Sequence, residues 1–331
     1  MTMSLTAGSP RHPGDTQIVL PQGDPSILYQ RDRNARLLPC LSLLMVTYNR
    51  RLDVTRCLAS LFDAWPRCLL EFLALDNGST DGTWELLASH NEIRLTRWPQ
   101  NRGLAPALKE LAGQARGEWL LFLDSDTVVP AGGIDALLDF ACTGDEIGAV
   151  APRMRDLSGD IQMTARDFPG PLNALFGRQT FLSRLWPNNP VTKKFLKAEA
   201  QSANQPFRCD WVAFAAALVR RNALEAVGSI DPSFFVYWVD TDFFRRLAHR
   251  GWQVWCFPAI EVIHLEHNRT RQFRSPRAIM DFHQGAFQYF YRHHGWRGVN
   301  PLLWLAGVGL FLRAILHLAI NQWRPRAGEK G

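Results

Sequence analysis

The stretch Leu41-Ser-Leu-Leu-Met-Val-Thr-Tyr-Asn-Arg50 decides the fold. Leu41 to Thr47 is a short apolar run of the kind buried on both faces of a parallel sheet. It breaks off at the polar group Thr47, Tyr48, Asn49 and Arg50. Just downstream, Val54, Cys57, Leu58, Leu61, Phe62 and Trp65 recur at helical spacing, with Asp53 placed to cap. A second strand is expected over Leu69 to Leu75, followed by the turn Asp76-Asn-Gly-Ser-Thr-Asp-Gly82. Asp81 is placed to start a helix holding Trp84, Leu86 and Leu87. Ile93 to Trp98 reads as a third strand, Leu104 to Ala115 as a third helix and Trp119 to Leu123 as a fourth strand. Strands alternating with helices at this spacing form βαβ units, so the fold class is α/β, a mostly parallel central sheet flanked by helices. Right-handed crossovers put ligands beyond the carboxyl ends of such strands. Thr47-Tyr-Asn-Arg50, Asp76-Asn-Gly-Ser79 and Asp124-Ser-Asp126 collect there.

Outward from this block the pattern weakens. Residues 1–39 are rich in Pro, Gly, Asp and Arg and read as a partly ordered extension. Pro152 to Pro206 is irregular and suits a long insertion on the acceptor side. Trp211 to Val219 is a strand candidate, Asn222 to Val227 a short helix closed by Gly228, Asp240 to His249 a helix and Trp252 to Phe257 a strand. Ser275-Pro276 opens a helix carrying Ile279, Phe282, Ala286, Phe287 and Phe290. These boundaries divide the chain into an extension (1–39), a catalytic domain (40–270) and a C-terminal helical segment (271–331).

That last segment contains the apolar run Pro301 to Leu312, shorter than the roughly 20 residues a spanning helix needs. Arg313, His317, Asn321 and Arg324 then share one helical face, while Leu312, Ile315, Leu316 and Ile320 are directed elsewhere. This is an interfacial amphipathic pattern, with Arg324, Arg326 and Lys330 free to meet anionic head groups. A helix packed on the protein's own core and a tilted span are the other two readings.

Composition narrows the class. With 47% hydrophobic and 21% charged residues the chain is globular, neither disordered nor fibrous. A net charge of +6 and a pI near 9.2 suit an anionic partner such as a phosphate-bearing ligand or acidic lipid. No basic stripe supports nucleic-acid binding. The six scattered cysteines include no CxxC pair, which suits free thiols in a reducing compartment. The first residues contain no apolar signal-peptide core, so a cytoplasmic catalytic part is expected. A dinucleotide fold would place GxGxxG after the first strand, where this chain has Thr-Tyr-Asn-Arg.

Four groups are candidates for chemistry. Asp124 and Asp126 end a hydrophobic strand, and alternate residues of an extended segment point the same way. Two hard oxygen ligands suit Mg²⁺ or Mn²⁺ bridging phosphates; the competing reading is a turn whose Asp caps the next helix. Asp76 either closes an Asx-turn or accepts a hydrogen bond from a nucleotide base or ribose. Asp240 follows Phe234-Phe-Val-Tyr-Trp238, and either caps its helix or stands partly desolvated as a general base. His264, after Ile260 to Ile263, is either structural or a divalent-metal ligand.

Together the segments resemble the family 2 glycosyltransferases with the GT-A fold, most of all the bacterial rhamnosyltransferase type. The motifs, over residues 40–295, are Val46-Thr-Tyr-Asn-Arg50, Leu75-Asp-Asn-Gly-Ser-Thr-Asp-Gly82, Asn101-Arg-Gly-Leu-Ala105, Leu121-Phe-Leu-Asp-Ser-Asp126, Gly228-Ser-Ile-Asp231 and Tyr237-Trp-Val-Asp-Thr-Asp242. The resemblance implies an inverting transferase that moves rhamnose or another hexose from dTDP-rhamnose or a UDP-sugar. The acceptor would be a saccharide or lipid-linked saccharide in cell-surface polysaccharide synthesis, on the inner face of the membrane. It implies that Thr47, Tyr48, Arg50, Asp76 and Gly103 hold the nucleotide, with Asp124 and Asp126 binding Mg²⁺ or Mn²⁺ beside the diphosphate. His264 would sit near the metal, and Asp240 would deprotonate the acceptor. Val239 replaces the family's usual Glu, Lys109 its Asn and Leu111 its Gly. The alternative is a non-catalytic scaffold of the same fold, for which Val239 is the encouragement.

Overall fold

A computed structural model describes residues 18–19, 29–31, 37–39, 41–170, 190–265, 275–294 and 301–323. Most of the expected extension, Arg324, Arg326 and Lys330 lie outside them. Within residues 1–39, Ile18–Val19 (β1), Tyr29–Arg31 (β2) and Leu37–Pro39 (β3) form a small antiparallel sheet.

The apolar runs become the main sheet. Leu41–Thr47 (β4), Leu69–Asp76 (β5), Ile93–Arg97 (β6) and Trp119–Asp124 (β7) lie parallel in the order β6-β5-β4-β7. Arg51–Asp63 (α1), Thr83–Ala88 (α2) and Leu104–Gln114 (α3) link them. Side-chain alternation explains why β4 reads as continuously apolar. Leu41, Leu43 and Met45 pack with Val54, Leu58 and Leu61 of α1, whereas Leu44 packs with Leu108 and Leu111 of α3 on the other face.

Downstream, two regions differ from expectation. Thr127–Val128 (β8), helix Gly133–Ala141 (α4) and strand Ile147–Arg155 (β9) fill the stretch after Asp126. The region from Pro152 is therefore not uniformly irregular. Residues up to Arg155 complete β9, Ile161–Gln162 (β10) folds back on it, and helices Pro190–Phe195 (α5) and Ala198–Ser202 (α6) follow; residues 171–189 lie outside the described residues. After Phe207–Cys209 (β11), the strand expected over Trp211 to Val219 is confined to Ala216–Arg220 (β12) and inserts antiparallel between β7 and β9. Trp211 instead makes an isolated bridge with Arg166.

Arg221–Ala226 (α7) and Val239–His249 (α8) precede Gln253–His264 (β13), which carries the strand expected over Trp252 to Phe257 on to His264. Its parallel pairing with β9 shifts register between Phe257 and Glu261. Asp53 lies inside the first turn of α1 and takes an ion pair from Arg50 at 3.2 Å, so it is not the cap. Gly82 is the residue before α2, while Asp81 accepts from the Thr83 N–H at 3.1 Å.

Pro276–His294 (α9) packs on α8, and Pro301–Trp323 (α10) packs on α9. Ser275 Oγ accepts from the Ala278 N–H at 3.1 Å, which starts α9 where Ser-Pro announced it.

Candidate active site

Register brings the strand-end residues together. Thr47 pairs opposite Asp76, and Val46 opposite Asp124, so three carboxyl ends finish level with one another. Asn49, at φ 51°, ties the first loop to the second: its N–H donates to Ser79 Oγ at 2.9 Å, and its Oδ1 accepts from the Thr80 N–H at 2.8 Å. Thr47 is buried, and its hydroxyl has no hydrogen-bond partner among the described residues. Tyr48 is exposed, and Arg50 reaches Asp53.

Asp76 is fully buried. Both of its oxygens accept from the Ser79 N–H at 3.3 Å, and Arg97 lies 3.8 Å away, so the carboxylate already closes its own turn. Asn77 fastens that turn to the next loop, accepting from the Arg102 N–H at 2.9 Å and donating to the Gly103 carbonyl at 3.0 Å. Gly103 has φ 101°, and a Cβ there would stand 2.6 Å from the Phe235 ring. Only glycine lets this loop press on the segment leading into α8. The Leu104 N–H completes the junction by donating to the Phe235 carbonyl at 2.6 Å.

The paired aspartates meet His264. His264 Nε2 is 3.1 Å from Asp126 Oδ1 and 3.8 Å from Asp124 Oδ2. The backbone holds this meeting in place, because the Leu265 N–H donates to the Asp126 carbonyl at 2.7 Å and His264 pairs with Thr127. His264 Nδ1 lies 2.9 Å from Gln162 Oε1. An amide oxygen only accepts, so Nδ1 carries the proton and the Nε2 lone pair of a neutral ring faces the carboxylates. One ligand atom from each of Asp124, Asp126 and His264 fits within 4.8 Å of the others. Three acceptors facing one another fit a divalent cation, and the oxygen-rich set suits Mg²⁺ or Mn²⁺. Burial pushes the Asp126 carboxyl up, but a protonated His264, donating from Nε2 and lending its charge, together with the Arg50 charge, outweighs it and holds the group below its ordinary value.

Asp240 occupies the first turn of α8, after Trp238, which sits at φ 72°. That backbone region is strained for a bulky side chain. Asp240 Oδ1 accepts from the Thr241 N–H at 2.8 Å. Burial pushes its carboxyl above the ordinary aspartate value, against hydrogen bonding from Thr241 and the Arg166 charge. Gln162 and Arg166 are contributors that the sequence did not single out. One segment thus carries both the partner of His264 and the guanidinium felt by Asp240. Arg166 lies 5.0 Å from the Trp211 ring centre and donates to the Met163 carbonyl at 2.6 Å. Ile161-Gln-Met-Thr-Ala-Arg166 alternates apolar and polar residues, a strand signal, but alternation alone gives neither Gln162 nor Arg166 a partner.

Comparison with known proteins follows the same lines. The family model described as "Glycosyl transferase family 2" matches residues 42–228. The N-acetylglucosaminyl-diphospho-decaprenol L-rhamnosyltransferase of Mycobacterium tuberculosis is 32% identical over 300 residues, covering 86% of this chain and 95% of that protein. The O-antigen biosynthesis protein RfbC of Myxococcus xanthus is 28% identical over 280 residues, 82% of this chain and 21% of that one. Among solved structures, GalNAc-T7 with UDP, GalNAc and Mn²⁺ superposes with a TM-score of 0.56 at 17% identity, covering 78% of this chain and 48% of that chain. The mannosyltransferase PcManGT of Pyrobaculum calidifontis, in complex with GDP-Man and Mn²⁺, gives 0.54 at 18% identity over 87% and 76%.

Proposed function

The chain belongs to glycosyl transferase family 2 and has its GT-A fold, and from that premise we propose which sugar transfer it performs and which residues perform it. It is a glycosyltransferase; the finer reading is transfer of rhamnose from dTDP-rhamnose to a saccharide carried on a lipid diphosphate. This takes the transferred sugar and the acceptor class from the mycobacterial relative's name, and the dTDP carrier from the family resemblance of the motifs. The convergence of Asp124, Asp126 and His264 at the carboxyl ends of the strands is the observation that carries it. In this reading residues 40–270 are the catalytic unit and residues 271–331 the membrane-associating segment. The enzyme works at the cytoplasmic face of the membrane, a setting supported by the free thiols of Cys57, Cys68, Cys142, Cys209 and Cys256.

Thr47, Tyr48, Arg50, Asp76 and Gly103 hold the nucleotide. Asp124, Asp126 and His264 hold Mg²⁺ or Mn²⁺, which when bound acts as a Lewis acid on the donor diphosphate. Asp240 accepts the proton of the acceptor hydroxyl as that oxygen bonds to the anomeric carbon. The bond from this carbon to the diphosphate oxygen breaks, the nucleoside diphosphate leaves with the electron pair, and attack from the opposite face inverts the centre. Arg50 and Arg166 offset developing negative charge.

A panel of dTDP-, UDP- and GDP-sugars, each with Mg²⁺, Mn²⁺ or neither, tests this by thermal stabilisation and by mass spectrometry of the product. Cation-dependent stabilisation by dTDP-rhamnose with rhamnose transfer is expected. Stabilisation and turnover confined to another sugar nucleotide would overturn the donor assignment.

A further inference from the structure

α10 is built inside out. In a helix packed on a water-soluble protein the apolar stripe faces inward and the polar residues face solvent. Here the side against α9 carries Gly307, where a Cβ would stand 2.7 Å from the Phe287 ring, the buried Ala314 and His317, whose ring centre is 5.5 Å from that of His283. Arg313 and Asn321 are half-buried at the same helical spacing. The outward side presents Trp304, Leu305, Phe311, Leu312, Ile315 and Leu316, each between 47% and 68% exposed. The expected separation of polar and apolar faces is therefore present, and the apolar face is the uncovered one. Packing of that face on the protein's own core does not occur among the described residues. An exposed apolar surface of this extent marks an interaction site.

Charge selects the occupant. Between Asp281 and Glu329 the sequence contains no acidic residue; Arg292 is paired with Asp231 and Asp242 and Arg313 lies on the covered side, which leaves Arg297, Arg324 and Arg326 on either side of the outward face in sequence. Bringing two copies of this face together would crowd like charges. A leaflet bearing anionic head groups attracts them, and Trp296 and Trp323 flank the helix in sequence as aromatics do at membrane interfaces. Among the described residues no helix is long and apolar enough to cross a membrane. We propose that the outward face of α10 lies flat in the interfacial layer of an anionic bilayer, and that α9 transmits this docking to the Asp240 turn.

α9 is suited to that link. Asp281 accepts from the Val236 and Tyr237 N–H groups at 3.2 and 3.1 Å. A Cβ on Gly285 would stand 2.9 Å from the Trp238 ring, so α9 presses directly on the turn that presents Asp240. Docking of α10 thus holds the catalytic turn near the surface to which a lipid-carried acceptor is confined. This consequence rests on the transferase reading; the docking itself does not.

Flotation of the full-length protein with phosphatidylcholine vesicles, and with vesicles also containing phosphatidylglycerol, tests the docking. The wild type should float with the anionic vesicles and lose binding as salt rises. Phe311→Asp combined with Leu312→Asp should weaken vesicle binding by about tenfold or more. That variant should keep wild-type transfer to a short-chain, water-soluble acceptor, yet lose about tenfold on a long-chain polyprenyl acceptor embedded in vesicles. Undiminished flotation of the variant would overturn the proposal. So would a wild type that ignores vesicles and sediments as a dimer, since a second copy would then cover the face. Flotation without turnover of any sugar nucleotide would sink the transferase reading alone; turnover on the soluble acceptor without flotation would sink the docking alone.

Discussion

His264 Nε2 stands 3.1 Å from Asp126 Oδ1, and the ring is oriented by Gln162 on its far side. The contact joins the end of β7, where the chain turns out of the parallel block, to the end of β13, near the close of the sheet. Two remote strand ends thereby bring a carboxylate and an imidazole nitrogen to one point, with Asp124 Oδ2 also 3.8 Å from the imidazole. Without a cation the imidazole lone pair and the carboxylates repel one another. The arrangement is satisfied either by protonating His264 or by placing a divalent ion among the three.

Asp126→Ala removes one of the three proposed cation ligands outright, whereas Gln162→Ala only releases the histidine. Losing a partner that orients a metal ligand typically weakens metal affinity about 10–100-fold, and losing the ligand costs at least as much. Calorimetric titration of the donor nucleotide with Mn²⁺ should rank affinity as wild type, then Gln162→Ala, then Asp126→Ala. Without Mn²⁺ the three should converge. Equal Mn²⁺-dependent affinity in all three would remove the cation from this site.

Asp240 makes two effects run in opposite directions. Burial raises its affinity for a proton in the folded state, opposed by Thr241 and Arg166. A carboxyl with a raised folded value takes up protons on folding, so this contribution favours folding in acid and is lost as pH rises through that value. At neutral pH the charged carboxylate therefore costs stability. Asp240→Asn should melt at or above the wild-type temperature at neutral pH, with the difference closing below the ordinary aspartate range. Transfer should fall about 10²–10⁴-fold with donor binding nearly intact. Wild-type kcat/KM should fall on the acid side at a pH above that of an ordinary aspartate. Near-native turnover by Asp240→Asn would end its assignment as the base.

Thr47 buries a hydroxyl that has no partner among the described residues. Such a group costs about 1–3 kcal/mol, and a valine of the same shape removes that cost. Thr47→Val should stabilise the ligand-free protein by about 1 kcal/mol in urea unfolding. If the hydroxyl receives its bond from the nucleotide, the same change should weaken donor binding several-fold. A variant that gains stability and binds donor as before would take Thr47 out of the site.

The parallel half of the sheet was legible because its signals are local. Apolar runs ending on Thr47, Asp76 and Asp124 describe strands and their exits without reference to anything distant. The rest depends on tertiary placement. Nothing in Ala216–Arg220 states that it enters antiparallel between β7 and β9, and Gln162 and Arg166 acquire meaning only because β10 folds back on β9. The two faces of α10 could be read from spacing, yet spacing does not say which is covered; the packing of α9 decides that. Asp242 shows the same limit. In sequence it only closes the motif Tyr237-Trp-Val-Asp-Thr-Asp242, but in the fold it is a buried ionic hub.

Asp242 is fully buried. It accepts from Arg246 Nε at 2.9 Å and Arg292 Nη1 at 3.0 Å, and lies 2.9 Å from His293 Nε2. Arg292 also reaches Asp231, and Asp242 pins α8 to α9 just beyond the Asp240 turn. Burial pushes the Asp242 carboxyl up, but His293 and the two guanidinium groups outweigh it and hold it below the ordinary value. A depressed carboxyl contributes stability that is present above the ordinary aspartate range and is lost as pH falls through its folded value. Asp242→Ala leaves the part-exposed Arg246 and the buried His293 without their acceptor and should cost about 1–3 kcal/mol in urea unfolding at neutral pH. Because the wild type loses this contribution in acid, the gap between the two proteins should narrow as pH falls below that of an ordinary aspartate. A gap that stayed constant across that range would mean the carboxylate's charge does not hold the two helices together.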